Sequence, residues 1–582
     1  MKKQVTLKVN NISVTVDEGT RILDAAKAAG FTIPTLCYYK DLTNEGSCRV
    51  CVVEVKGARS LVASCSATVR DGMEVFTNTP KVNKARKTTI ELMLSAHEKS
   101  CLACSRSGNC ELQTLANEYG CDPSAYAGTT PTYAHDDSNP YLVRNNNKCI
   151  LCRRCVAVCN KVQSVGVIGP NGRGFNTHIG CAFDRPLSSV PCLACGQCIN
   201  VCPTEALHER EYIDDVRDAI ADPDKYVIVG TAPSVRVAIG EEFGYPIGTD
   251  VEGRMVSAIR ALGVDKVFDV DMAADMTIME EGYELLDRLK NKPESLPMIT
   301  SCSPGWIRYI EYYYPELLNH VSTCKSPQQM FGAIMKTYYA EKFHIDPAKI
   351  VVVSIMPCVA KKFEITRDHQ SASGYPDIDY VLTTRELARM LKSQGIDLAK
   401  QPQSAFDNPI GEGSTAGLLF GATGGVMEAA LRTVYEVVTG ETLEQLDFKA
   451  VRGTKGIKTA TVDMKGTKVK VAVAHTIANA KVIMEQIKAG KADYQFVEIM
   501  TCPGGCVNGG GQPIHSAEEA SEKDIKVLRA KAIYKSDKKA ALRQSHKNPV
   551  VETLYKEYFG EPNSHKAHEV LHTQYTPRKK FE

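Results

Sequence analysis

The sequence predicts an α+β multidomain protein, and three observations carry that expectation. The first residues, MKKQVTLKVNNISVTVDEG, alternate apolar and polar side chains as a strand pair does. Two near-identical cysteine runs sit in the middle of the chain with their first cysteines 43 residues apart. Beyond residue 210, β-branched apolar runs such as Tyr226–Val229, Val264–Val270 and Ile350–Ile355 alternate with amphipathic stretches such as Met255–Leu262 and Leu285–Leu289. That alternation is the mark of α/β layers with partly buried parallel strands.

A length of 582 residues calls for several domains, each with its own core. Lys plus Arg at 70 against Asp plus Glu at 68 gives a net charge of +2, which removes any electrostatic argument for nucleic acid or an anionic membrane surface. The N-terminal stretch lacks the apolar core of a signal peptide. No apolar run approaches the ~20 residues a spanning helix requires. The expected location is the cytoplasm, where thiols stay reduced, so 22 cysteines signify metal or redox chemistry rather than a disulfide framework.

Taken in order, residues 1–78 read as a small β-rich, β-grasp-like unit, with Asn10-Asn11 as the turn between two strands and a short helix at Arg21–Ala29. Residues 79–125 turn helical. Residues 126–145, rich in Pro, Asn, Thr and Asp, read as a linker. The duplicated unit occupies 146–209. The large α/β domain spans 210–515, and a charged, cysteine-free helical tail runs over 516–582.

Each front unit carries a ligand run. Cys37-x10-Cys48-x2-Cys51-x13-Cys65 has the wide first gap of a [2Fe–2S] loop, with Gly46 permitting a tight turn. Zinc is the alternative occupant. His97-x3-Cys101-x2-Cys104-x5-Cys110 offers one imidazole and three thiolates, which suit zinc or a [4Fe–4S] cluster. Its place among redox runs favours the cluster. Cys149, Cys152, Cys155 and Cys159, then Cys192, Cys195, Cys198 and Cys202-Pro203, repeat the bacterial two-cluster ferredoxin run. There the fourth cysteine reaches the other cluster, so Cys202 joins the first three and Cys159 joins Cys192, Cys195 and Cys198. Four successive sites suggest an electron wire. Cys121, Cys181 and Cys324 fit no run and read as small buried apolar residues.

Three segments of the large domain resemble the motifs of [FeFe]-hydrogenases: Thr300-Ser301-Cys302-Ser303-Pro304-Gly305-Trp306, Met356-Pro357-Cys358 through Glu364, and Glu498 through Cys502 and Cys506 to Gly511. The resemblance implies an H-cluster, a [4Fe–4S] cubane joined by a cysteine to a di-iron centre carrying CO, CN⁻ and an azadithiolate, and the reversible reaction 2H⁺ + 2e⁻ ⇌ H₂. Carried over by position, Cys358 and Cys502 resemble cubane ligands and Cys506 the bridging cysteine. Lys361 resembles the donor to a cyanide, Met356 and Met500 the thioethers beside the di-iron unit, and Ala232-Pro233-Ser234 a loop giving a further donor. The family pairs two cysteines before the proline, one relaying protons and one ligating; here the second is Ser303. Alignment makes Cys302 the relay and Ser303 the ligand, whereas ligand softness makes Cys302 the ligand.

Glu281, Ser322, Glu284 and Arg288 resemble the family's proton path, with the two glutamates three apart on one helical face; by themselves they would read as a solvated face. The resemblance further implies electron exit through the His97 cluster or the [2Fe–2S] domain. It also implies a flavin- and NAD(P)-binding partner with a small [2Fe–2S] subunit. In this chain Gly421-x2-Gly424-Gly425 is no dinucleotide fingerprint, and no loop reads as a phosphate cradle. Ferredoxin is the other possible electron partner. A monomeric ferredoxin-dependent hydrogenase, an electron-transfer subunit similar to the large iron–sulfur subunit of respiratory complex I, and a hydrogen sensor are the rival readings.

Overall fold

The structure is a computed structural model that describes residues 3–580. The N-terminal unit is a five-stranded mixed sheet in the order Ile12–Asp17, Gln4–Val9, Glu74–Phe76, Val52–Val55, Val62–Ala63. Its first hairpin turns at Asn10 and Asn11, both at positive φ (46° and 69°), as a two-residue turn matched to strand twist requires. The helix Ile22–Ala28 packs Ile22, Ala25 and Ala26 on the sheet's inner valines.

Two helices follow, Pro80–Ser95, capped by Thr79, and Glu111–Glu118. The stretch read as a linker ends sooner than its composition suggests. Leu142–Arg144 is a strand, paired antiparallel with Leu207–Glu209 across the duplicated unit. Turn-forming residues upstream mask it, since three residues give no usable periodicity.

The duplication is visible in the backbone. Leu151 and Ala194 hold φ of 57° and 54°, and Arg153 and Gly196 hold 61° and 71°, at matching places in the two runs. Short helices follow at Arg154–Ala157 and Gln197–Asn200. Left-handed backbone costs a side-chain-bearing residue free energy, so its repetition marks loops wound for a purpose.

The large domain holds two four-stranded sheets. One is all parallel, in the order Lys266–Asp269, Tyr226–Thr231, Ile350–Met356, Tyr380–Thr383. The other runs Met298–Ile299, Phe496–Met500, Thr467–His475, Ile457–Met464, with one antiparallel pair at its edge. The long helix Asp271–Asn291 lies between the two cores. The tail docks on this helix. Ser545 and Asn548 donate to Asp275 at 2.7 and 2.8 Å, and Val551, Leu554, Ala567 and Leu571 enter the main core. Among the described residues no helix is long and apolar enough to cross a membrane.

Candidate active site and electron path

The three motif segments all leave the carboxyl ends of strands, where open α/β sheets place their sites. Met298–Ile299 leads to Cys302, Ile350–Met356 to Cys358, and Phe496–Met500 to Cys502 and Cys506. These thiols line one buried cavity of about 80 Å³ together with Ser303, Met356, Met500 and Lys361. A single water needs about 10–15 Å³, and protein interiors leave few larger voids, so a cavity walled by four thiols is shaped for a bulky soft-ligand group. Burial pushes the Cys506 thiol up to about 12 and Cys358 up to about 11; thiols in that setting are held as thiolates only by a cation or cluster.

Two smaller cavities lie in the duplicated unit. One, about 20 Å³, is lined by Cys149, Cys152, Cys155 and Cys202; the other, about 30 Å³, by Cys159, Cys192, Cys195 and Cys198. The fold thus gathers the crossed sets. In the N-terminal unit the thiols of Cys37, Cys48, Cys51 and Cys65 converge closely enough to perturb one another's titration. Gly46 beside them is at φ 64°, and a Cβ there would stand 2.9 Å from Ser66 Oγ. His97 is held neutral, its pKa lowered to about 4 by burial and then by Lys148, and its Nδ1 is buried without a partner. Lys148 also acts on the Cys104 thiol, and Cys110 Sγ lies 3.6 Å from the carbonyl of Pro203, next to Cys202.

Backbone contact joins the duplicated unit to the large cavity. A Cβ on Gly510 would fall 2.2 Å from the Cys195 carbonyl, and one on Gly196 would fall 3.0 Å from Gly510 Cα. Only glycines allow this approach, which makes Cys195 a wall of both cavities. Arg385 clamps it, donating to Glu209 Oε2 (2.7 Å) and to the carbonyls of Gly510 (2.8 Å) and Gln512 (2.7 Å). Glu498, the first residue of its motif, accepts from the backbone N–H groups of Gly424 (2.6 Å) and Met427 (2.8 Å) and so fixes the neighbouring helix start.

Cys302 and Ser303 face different neighbours. Cys302 shares a buried apolar cluster with Ala274, Ile278, Phe420 and Met500; burial pushes its thiol pKa well up, and the charges of Glu281 and Cys506 add to the rise. Ser303 Oγ accepts the N–H of Thr501 at 3.2 Å and lies 2.8 Å from Thr501 Oγ1, beside Cys502. Lys361 Nζ donates to the Cys302 carbonyl (3.3 Å), to Ser326 (2.8 Å) and to Glu364 (2.8 Å).

The glutamates are buried, not a solvated face. Glu281 accepts from Ser301 N–H and O–H at 3.1 and 3.2 Å while its Oε2 is unpartnered, and burial raises its pKa to about 7. The Ser322 hydroxyl donates to Glu284 Oε2 at 2.7 Å and favours the ionised form of the Glu281 carboxyl, against the larger effect of burial. Arg288 donates to Glu284 Oε1 at 2.7 Å, and both line an open surface cleft of about 1170 Å³.

Residues 225–510 match the family model described as iron only hydrogenase large subunit, C-terminal domain. Over 99% of its length, and all of the relative's, the chain is 47% identical to the NADP-reducing hydrogenase subunit HndD of Solidesulfovibrio fructosivorans. The chain belongs to the iron-only hydrogenase family.

It is also 42% identical to iron hydrogenase 1 of Clostridium pasteurianum, covering 98% of this chain and 99% of that one. Among solved structures, a variant of apo [FeFe]-hydrogenase HydA1 from Chlamydomonas reinhardtii is 43% identical over 64% of this chain and all of its own, with a TM-score of 0.57. The front of this hydrogenase matches a 2Fe-2S iron-sulfur cluster binding domain (2–80), an NADH-ubiquinone oxidoreductase-G iron-sulfur binding region (86–124) and a ferredoxin-like domain of NADH-quinone oxidoreductase subunit 3 (139–208). Its tail, 523–578, matches the model described as iron hydrogenase small subunit.

Two expectations are corrected by the geometry. From the Ala232-Pro233-Ser234 loop it is Ala232 and Pro233 that line the cavity, while Ser234 Oγ accepts from Gln512 Nε2 at 3.2 Å. Cys324 is not plain packing, because its thiol points at Glu284 Oε2 from 3.6 Å. Cys181 is fully buried in the ferredoxin-unit core, and Cys121 is half-buried against Lys87. Sequence reasoning missed Gln328 and Phe420 in the cavity wall; the Ser326-Pro327 helix start was the available signal for Gln328.

Proposed function

We propose that this hydrogenase chain is the catalytic subunit of an NAD(P)-linked assembly, with one [2Fe–2S] cluster, three accessory [4Fe–4S] clusters and an H-cluster. The observation that carries the reading is the thiol-walled cavity, which meets the ferredoxin-like unit at Cys195 and the carboxylate chain at Cys302. When bound, the H-cluster supplies the bond chemistry of dihydrogen, and the accessory clusters pass single electrons.

Cys358, Cys502 and Cys506 hold the cubane, with Ser303 as fourth donor. Thr501 supports this role, since an alkoxide at Ser303 Oγ keeps one N–H donor and gains one from the Thr501 hydroxyl. Cys302 then stays free to move protons. Lys361 presents a fixed cation, locked by Glu364, to anionic ligands in the cavity. Met356, Met500 and Phe420 keep water out.

Protons travel between cleft and cavity through Glu284, Ser322, Glu281 and Cys302, with Arg288 holding Glu284 in place. Glu281, neutral or ionised near pH 7, serves either direction. The ligand sets form a continuous series from Cys195 through the duplicated unit to Cys110 and to the N-terminal unit, which packs there through Leu42 against Val158 and Val201. A flavin- and NAD(P)-binding subunit and a small [2Fe–2S] subunit, or ferredoxin, exchange electrons at those outer sites. Ligand sets built from so many thiols favour a reducing compartment, the cytoplasm.

The test is purification of the matured protein from its host. Carbonyl and cyanide infrared bands, dihydrogen turnover and co-purifying flavin and NAD(P)-binding subunits are expected. Zinc in the Cys358–Cys502–Cys506 site, or rapid NAD⁺ reduction by the isolated chain, would overturn the reading.

A further inference from the structure

We propose that Glu284, Cys324 and His572 form a binding site for a borderline-soft divalent cation, with zinc as the probe, at the outer end of the proton path. One ligand atom from each lies within 4.8 Å of the other two, and all three residues are buried. Zinc bonds of ~2.0–2.3 Å put two ligands of one tetrahedral ion about 3.3–3.8 Å apart, so side-chain shifts of about an ångström close the site. A thiolate, an imidazole and a carboxylate suit zinc better than magnesium or calcium.

The surroundings have the form of a metal site. His572 Nε2 lies 3.1 Å from Glu280 Oε2, and Glu280 is itself held by the Tyr555 hydroxyl (2.5 Å) and the Asn563 N–H (2.9 Å). A histidine tied to a carboxylate through one ring nitrogen presents the other to a metal. That other nitrogen, Nδ1, is 2.8 Å from Thr323 Oγ1, whose own N–H donates to Glu284 at 3.2 Å. Glu284, Thr323 and His572 line the open cleft, which gives the ion an entry route and a water for the fourth position.

A second carboxylate cluster in the molecule behaves differently. Glu428, Asp447 and Asp537 also converge, but the guanidinium groups of Arg432, Arg452 and Arg543 fill that space and leave no demand for a cation. At Glu284, Arg288 takes Oε1, and among the described residues Oε2 is bonded by the Ser322 hydroxyl, the Thr323 N–H and the Cys324 thiol, none of them a cation.

Binding follows Cys324–SH + Zn²⁺ → Cys324–S–Zn⁺ + H⁺, with the proton released to the cleft. The ion takes Glu284 Oε2, the atom that receives the Ser322 hydroxyl, and so stops proton traffic. This consequence rests on the proton path proposed above; the binding site itself does not.

The experiment titrates zinc into matured holoenzyme, whose cluster cysteines are already filled, and into Cys324→Ala and His572→Gln. Expected are one additional tightly bound zinc, an absorption-edge spectrum showing one sulfur at about 2.3 Å, and loss of turnover in both directions that EDTA reverses. Cys324→Ala keeps its basal turnover, lacks the additional zinc and is inhibited at least tenfold more weakly; His572→Gln weakens zinc binding likewise. Equal zinc binding by wild type and both variants would overturn the site. Zinc that binds through Cys324 without slowing turnover would leave the site standing and remove Glu284 from the proton path.

Discussion

Glu281→Gln separates catalysis from folding, because the two effects have opposite signs. The carboxyl titrates near 7 rather than at its ordinary 4.5 because it is buried. A shift of that size favours the neutral form by about 3 kcal/mol at 1.36 kcal/mol per pH unit. A raised folded-state pKa contributes stability fully below about pH 4.5, and that contribution is lost as pH rises through 7. Glutamine has no charge to bury and keeps an oxygen for the Ser301 N–H. The variant is therefore expected to gain up to about 3 kcal/mol over wild type at pH 8 and nothing at pH 4.5. Turnover is expected to fall by about 10²–10⁴, the usual range for a lost proton-transfer group, equal to about 3–5 kcal/mol of barrier. The inflection near pH 7 in the rate profile should vanish with it. Thermal unfolding at the two pH values and dihydrogen evolution from pH 5 to 9 test both halves, with infrared spectra checking that the cofactor is intact. Turnover within threefold of wild type, or a variant less stable at pH 8, would refute the reasoning.

Three further outcomes follow from the same geometry. Ser303→Ala in protein matured without the di-iron unit should lose iron from the cubane, Ser303→Cys should keep it with a shifted electron-spin-resonance signal, and Cys302→Ala should leave it unchanged; iron content with spectroscopy decides between the two residues. His97→Cys replaces a neutral donor with an anionic one and should lower the potential of that cluster by roughly 100 mV or more, read by redox titration. Gly510→Ala drives a methyl into the Cys195 carbonyl, 2.2 Å away; overpacking of this kind costs about 1–3 kcal/mol, and dihydrogen should then reduce the accessory clusters more slowly while the infrared bands persist.

The ligand runs were legible because metal chemistry is local in sequence. A loop that surrounds a cluster must supply its donors two or three residues apart, so Cys149–Cys159 and Cys192–Cys202 announce themselves before any fold exists. The strand-end motifs at Cys302, Cys358 and Cys502 were legible for the same reason. Tertiary packing alone decided what happens between segments far apart in the chain. It set Gly510 on Cys195, brought Cys302 under the charge of Glu281, bonded Ser303 to Thr501, and carried His572 from the tail to Glu284. Cys324 shows the limit most plainly. A lone cysteine in the run Val321-Ser322-Thr323-Cys324-Lys325 carries no local sign of its neighbours, and its meaning arises only where the tail, the long helix and the loop after Val321 meet. Spacing encodes which atoms a loop can offer; burial and approach, which depend on the whole chain, set what those atoms face.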